Sequence, residues 1–174
     1  MDLNIFQRLM SLEEDNKQIR IGIIGVGKFS TMFLSQARKT KGFNILALAD
    51  ISYKNVESAL ERSGFDDVDE ILVNSFEETS NKGKIWFTED GIKLAQNEQL
   101  DIIIEATGNT DVAIQHALTA FKSNNHVIMV TVEADALCGK ALYKKAISEG
   151  VIYSMAYGDQ PAIICEMVDQ LRSS

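Results

Sequence analysis

The sequence predicts an α/β chain: a single domain built on a doubly wound parallel sheet of about six strands. Three observations carry this expectation. Short apolar runs alternate with segments of helical period almost throughout the chain, the pattern of strands joined by crossover helices. Four of the runs are nearly continuous in apolar residues, as strands covered on both faces require. The first run, IRIGII, leads straight into Gly25-Val26-Gly27-Lys28-Phe29-Ser30, a glycine turn that opens a helix.

Taken in order, residues 1–18 hold a separate amphipathic helix, with Leu3, Phe6, Leu9 and Met10 on one side of residues 3–15. It packs against the sheet or against a partner, so it is also where a homo-oligomer contact would form. The strands are expected at Arg20–Ile24, Asn44–Ala49, Lys84–Phe87, Asp101–Glu105, His126–Val132 and Val151–Met155. The first crossover helix carries Phe29, Met32, Phe33, Gln36 and Ala37 on one stripe. The helix before the fifth strand does the same with Val112, Ala113, His116, Ala117, Ala120 and Phe121, the 3.6-residue period of a half-buried helix. Lys41-Gly42, Ser63-Gly64 and Glu149-Gly150 read as helix stops. The acidic, then polar stretch from Asp66 to Lys84 reads as a short helix and a surface loop.

Composition narrows the function classes. The 174 residues are 45% hydrophobic and 24% charged, values of a globular domain with a real core. The net charge of −8 comes without a block of Lys or Arg, which argues against a nucleic-acid partner. The longest apolar runs, such as Val127–Val132, are far too short to cross a bilayer. The amino terminus has no basic start followed by an apolar run, so it is no secretion signal. Cys138 and Cys165 form no C-x-x-C pair and read as reduced thiols of a cytoplasmic protein.

The glycine turn carries the chemistry. In a G-x-G-x-x-G turn the first glycine permits the tight bend and the second lets the backbone approach a pyrophosphate. The third lets the helix pack close to the strand. Gly25 and Gly27 keep the two positions that meet the ligand, and Ser30 changes only the packing position, with a small side chain. The helix amides and macrodipole behind the turn favour an anion, and Lys28 adds a charge nearby. Asp50 ends the next strand, twenty-five positions after Gly25, near the spacing at which an acid meets the adenosine ribose. It favours NAD over NADP, while Ser52 and Lys54 leave room for the phosphorylated cofactor. The other reading of Asp50 is a cap for the helix beginning ISYKNVESAL.

The later strand ends, DIIIEATGN, HVIMVTVEADAL and VIYSMAYGDQPAII, complete a pattern that resembles the cofactor domain of homoserine dehydrogenases. Together with GVGKFSTMFLSQAR it looks close to the branch of 1-deoxy-D-xylulose-5-phosphate reductoisomerase-like oxidoreductases, over essentially the whole chain. The resemblance implies that Ala106, Thr107 and Gly108 sit beside the nicotinamide ribose and pyrophosphate. It implies that Glu133 lies near the nicotinamide, where homoserine dehydrogenases often have asparagine. It also implies that Gly158, Asp159, Gln160 and Pro161 form the turn that closes over the ring. Glu133 and Asp159 are then the candidate catalytic contacts, and Phe29 joins the cofactor set through the glycine turn. One departure puts homoserine as substrate in doubt: Ala134 stands where the family commonly has lysine. Glu133 and Asp135 could orient polyol hydroxyls or hold a divalent cation, or simply face a helix dipole.

The remaining candidates carry little. His116 reads as a core or boundary histidine, His126 has no ligand-spaced partner, and Trp86 and Tyr153 fill space beside the sheet. The family's substrate-binding acid and lysine lie in a second domain beyond the sixth strand. That domain is expected on a longer protein, with residues 19–174 as the dinucleotide-binding part, poorly active alone. The expected function is hydride transfer to or from a small polar carbonyl or alcohol substrate, phosphorylated or not. The rival is a non-catalytic module that senses NAD(H). A methyltransferase is the third reading, and it would end in an antiparallel hairpin.

Overall fold

A computed structural model describes residues 4–65, 67–81, 83–156 and 160–173. The strands are β1 (Ile19–Ile24), β2 (Phe43–Ala49), β3 (Leu72–Val73), β4 (Ile85–Thr88), β5 (Ile102–Glu105), β6 (His126–Met129) and β7 (Tyr153–Met155). They form one sheet in the order β3-β4-β2-β1-β5-β6-β7, and every neighbouring pair runs parallel. This is the doubly wound, or Rossmann, arrangement with one more strand than expected. β3 has only two residues, too few for a period of two to be read in the sequence. Because β7 pairs parallel to β6, the methyltransferase reading loses its closing hairpin.

The helices are α1 (Ile5–Glu14), α2 (Lys28–Ala37), α3 (Tyr53–Arg62), α4 (Val68–Ile71), α5 (Gly91–Ala95), α6 (Thr110–Lys122), α7 (Val132–Glu149) and α8 (Gln160–Ser173). A 3-10 turn at Phe76–Ser80 lies between β3 and β4. One boundary differs from expectation: Val132 begins α7 instead of ending β6. The acids Glu133 and Asp135 in that first turn suit the positive end of a helix better than a strand. Gly42 also differs. α2 ends at Ala37, and the Gly42 N–H instead meets the Glu13 carboxylate of α1 at 3.0 Å. Ser63 and Gly150 do cap α3 and α7.

The two faces of the sheet bury different sets. α2 and α3 set Leu34, Val56 and Leu60 against Ile21, Ile23, Leu48 and Ile104. On the other face α5, α6 and α7 set Leu94, Ala117, Phe121 and Leu142 against Ile24, Ile103 and Val127. Alternation along β5 follows, with Ile103 on one face and Ile104 on the other, both buried. Each such fully buried Leu or Ile contributes about 1.5–3 kcal/mol. α6 buries Ala113, His116, Ala117, Ala120 and Phe121, the i, i+3, i+4, i+7, i+8 stripe that the sequence displays. Its three alanines bring the helix close to the sheet.

The chain leaves β1 for one face through α2 and leaves β5 for the other through α6. β1 and β5 are neighbours, so their carboxyl ends flank the point where the winding reverses. In open α/β sheets that crevice is the ligand site. Among the described residues no helix is long and apolar enough to cross a membrane.

Candidate functional site

At the carboxyl edge of the sheet a cleft of about 630 Å³ opens between the β1–α2 turn and the β5–α6 loop. Gly25, Asp50, Asp90, Thr107, Asn109 and His116 are among the residues that line it. Gly25 sits at φ +88°, and a Cβ there would stand 2.6 Å from the Ala106 carbonyl and the Thr107 nitrogen. Turn and loop are therefore in contact, and only glycine fits between them. Gly27 has the opposite surroundings. A Cβ on it would meet nothing within 4 Å, so its bare backbone fronts open space.

Gly27 is also the N-cap of α2, where no side chain caps the helix and no acid occupies the first turn. The first amides of α2 are left to a ligand, and an anion is what they favour. Open space above Gly27 and an uncapped helix of ten residues are features that a pyrophosphate would use.

Ser30 adds something the motif does not suggest. It is fully buried, and its hydroxyl donates to the Gly25 carbonyl at 2.6 Å. The serine at the third glycine position thus ties helix to turn with a satisfied hydrogen bond, where glycine would offer only closeness.

Asp50 takes the helix-start role that its sequence context allowed, and it also holds the glycine turn. Its Oδ2 accepts the Val26 N–H at 2.8 Å, so it holds the glycine turn. Its Oδ1 accepts the Ser52 N–H at 2.9 Å and the Asn55 side-chain N–H at 3.0 Å, so it also anchors the start of α3. With one of the usual two acceptor positions on Oδ2 unused by these bonds, the carboxylate keeps capacity for a hydroxyl. Glu89 and Asp90 line the same cleft, and no lysine or arginine does among the described residues.

The β5–α6 loop is held from below. Glu105 ends β5 and is fully buried. Its Oε1 accepts from the Thr107 hydroxyl at 2.6 Å and faces His116 Nδ1 at 3.4 Å, while Oε2 accepts from the Thr131 hydroxyl. Thr107 therefore turns its hydroxyl inward and meets the cleft with its backbone. Gly108, at φ +69° with nothing within 4 Å of a would-be Cβ, fronts open space as Gly27 does.

The other expected residues divide. Lys28 is exposed at the first position of α2. Phe29 stacks on Phe33 with ring centroids 6.3 Å apart and lines a different, apolar groove with Ile104, Ile128 and Val130. Only its amide remains for the cleft. Glu133 is exposed on the first turn of α7. Asp135 is engaged elsewhere, accepting the Tyr153 hydroxyl at 2.8 Å. Burial first, and that carboxylate second, push the Tyr153 phenol well above its ordinary value. Burial also raises the Cys138 thiol, with Asp135 adding to it, so this cysteine is not a ready nucleophile. Among the described residues no three His, Cys, Asp or Glu are placed to hold a metal, which leaves the cation reading of Glu133 and Asp135 without support. Gly158 and Asp159 lie outside the described residues, as does the Pro161 side chain, though Pro161 falls within α8. His116, Trp86 and Tyr153 are buried, as their patterns suggest.

Sequence reasoning missed Glu105 and Thr131. A signal for Glu105 exists: it stands two residues after Ile103, so it shares that residue's helix-covered face. Thr131 carries no local signal.

No family model and no curated protein matches the chain, but solved structures do. A homoserine dehydrogenase from Thiobacillus denitrificans superposes with a TM-score of 0.63 at 16% identity, over 80% of this chain and 29% of that one. The scyllo-inositol dehydrogenase of Lactobacillus casei with bound NAD(H) and scyllo-inositol gives 0.60 at 16%, over 90% and 42%. Biliverdin reductase of Synechocystis sp. PCC 6803, in complex with biliverdin and NADP+, gives 0.58 at 16%, over 79% and 37%. The chain spans well under half the length of these structures. It has the fold that these structures share over the matched part, and the resemblance to homoserine dehydrogenases seen in the sequence has its structural counterpart in that fold. The reductoisomerase-like branch rests on the sequence segments alone.

Proposed function

We propose that this chain is the dinucleotide-binding part of an NAD(P)-dependent oxidoreductase acting on a small polar carbonyl or alcohol substrate. The observation that carries it is the uncapped α2 amino terminus behind Gly27, with open space above the glycine. Gly25, Gly27 and the amides of Lys28 and Phe29 hold the pyrophosphate, with the Lys28 ammonium nearby. Asp50 holds the adenosine ribose. Ala106, Thr107 and Gly108 form the floor under the nicotinamide ribose through their backbone, and Gly158 and Pro161 are proposed as further cofactor contacts. The nicotinamide, when bound, supplies or accepts the hydride. Glu133 and Asp159 are proposed as the contacts near the reacting carbon, Glu133 because α7 starts at the same carboxyl edge of the sheet.

NAD is favoured over NADP. A 2′-phosphate would enter beside Asp50, Glu89 and Asp90 with no lining cation among the described residues to receive it, and like charges brought together disfavour binding. The second domain and turnover belong to the longer protein under this proposal. Calorimetric titration with NAD(H), NADP(H) and S-adenosylmethionine tests it. Binding of NAD(H) in preference to the others is expected. Binding of S-adenosylmethionine alone would remove the oxidoreductase reading. Tight NADH binding by a full-length protein without turnover on any alcohol or carbonyl would favour the sensing module instead.

A further inference from the structure

We infer that Glu105 is a positioning residue: through Thr107 and Thr131 it turns three successive loop amides inward, so that the backbone of residues 107–109 can only accept hydrogen bonds from a ligand. The proposal deepens the dinucleotide reading and rests on it for the identity of the ligand, though not for the ordering of the loop.

The geometry is a pair of hydroxyl relays. The Asn109 N–H donates to the Thr107 hydroxyl at 3.2 Å, and that hydroxyl donates to Glu105 Oε1 at 2.6 Å. In parallel, the Gly108 N–H donates to the Thr131 hydroxyl at 3.0 Å, and that hydroxyl donates to Glu105 Oε2. A third amide, Thr107 N–H, points directly at Oε1 from 3.4 Å. A hydroxyl has one proton. Once each threonine accepts an amide, that proton must go to an acceptor on the far side, and the carboxylate supplies one acceptor oxygen to each. A buried carboxylate needs such partners. His116 alone would provide a structural one, but it would not reach the loop.

The consequence concerns the ligand. Two helix amino termini flank the cleft. At α2 the amides are free of any side-chain cap. At α6 the Asn109 side chain accepts the Val112 N–H at 3.2 Å, and Asp111 lies in the first turn. With the amides of residues 107–109 also spent, the backbone of these residues offers no donor to an anion, and the Asn109 side-chain N–H2 is the donor that the loop brings to the cleft. Carbonyls remain. The cleft is therefore divided: phosphate at α2, and at the loop a neutral donor, a ribose hydroxyl or a carboxamide N–H.

Glu105→Gln tests this, because its amide cannot accept from both threonines. Thr131→Val, similar in volume, breaks one relay and stands in if Glu105→Gln does not fold. Two readouts are needed. Amide hydrogen exchange should be protected in the wild type and faster by about tenfold or more at Gly108 in either variant, and at Asn109 in Glu105→Gln. The affinity for NADH, read by nicotinamide fluorescence, should fall about tenfold while that for ADP, which needs only the α2 turn and Asp50, stays within twofold. Unchanged exchange in both variants would overturn the positioning role. Equal losses for NADH and ADP would reduce Glu105 to a general support of the fold and overturn the division of the cleft. If the wild type binds neither nucleotide while exchange responds as expected, the dinucleotide reading and the assignment of the loop's ligand fall, but the relays stand.

Discussion

The two walls of the cleft are built in opposite ways. The β1–α2 turn is made of missing side chains: Gly25 lets the chain touch the neighbouring loop, and Gly27 leaves room above the helix amides. The β5–α6 loop is made of present ones, a buried acid and two threonines whose hydroxyls reach the loop amides. The backbone of the first wall donates, and that of residues 107–109 in the second accepts. One wall is a local motif, whereas the other is assembled from β5 and the segment after β6, with Glu105 and Thr131 twenty-six positions apart.

The largest effect should come where the two walls meet. Gly25→Ala places a Cβ 2.6 Å from the Ala106 carbonyl at a positive φ. Overpacking costs about 1–3 kcal/mol and the left-handed conformation about 1–2 more. A loss of roughly 3 kcal/mol should lower the melting temperature by about 6–12 °C, with dinucleotide binding lost. A melting curve close to wild type would mean that the walls do not touch.

Asp50→Ala separates ligand from scaffold. Hydrogen bonds to a charged group are worth about 1.5–3 kcal/mol, so NAD affinity should fall about tenfold to a hundredfold, while NADP is less affected. The same change removes the anchor on α3 and should cost about 1 kcal/mol in denaturant unfolding. Equal losses for both cofactors would remove its ribose role.

Gly27→Ala is the converse. Nothing within 4 Å meets the added methyl, and the backbone at φ −94° tolerates alanine. Stability should change by about 1 kcal/mol or less, yet NADH affinity should drop about tenfold or more because the methyl occupies ligand space. Unaltered binding by calorimetry would show that the open space above Gly27 is not where the ligand goes.

The smallest effect lies at the other end of the sheet, and it involves neither wall. Asp101 takes the Arg20 guanidinium through two bonds, at 2.6 and 3.0 Å, and the Arg20 N–H at 2.7 Å. Burial alone would raise this acid, but the bonds from Arg20 outweigh it and hold the carboxyl below its ordinary value of 3.8. A depressed carboxyl stabilises the fold above its unfolded value and loses that contribution as pH falls through the folded one. Stability should therefore decline below about pH 4 more steeply in wild type than in Asp101→Asn. Since the pair is largely exposed, the difference should be under about 1 kcal/mol, and NADH affinity at neutral pH should not change.

Legibility followed the same division. β1, β2, β4, β5 and β6 were readable from apolar runs, and Gly25, Gly27 and Asp50 from spacing, because each depends on residues close in sequence. Ser30 was readable as small, but its bond to the Gly25 carbonyl was not, since a hydroxyl's partner depends on the turn's final geometry. Glu105 looked like the end of a strand, and the threonine beneath Gly108 lies in a different segment. The two-residue β3 is too short to show a period. Phe29 sits inside the motif, yet its ring, still exposed, stacks on Phe33 along the helix and points away from the anion site.

The most direct test of the donor wall is a heteronuclear NMR titration of the chain with NADH, following backbone amides. Large, saturable shifts should appear at Gly27, Lys28 and Phe29, with smaller ones at Asp50 and Gly108. Shifts confined to Ile128, Val130 and their neighbours in the apolar groove, or none at the start of α2, would contradict it.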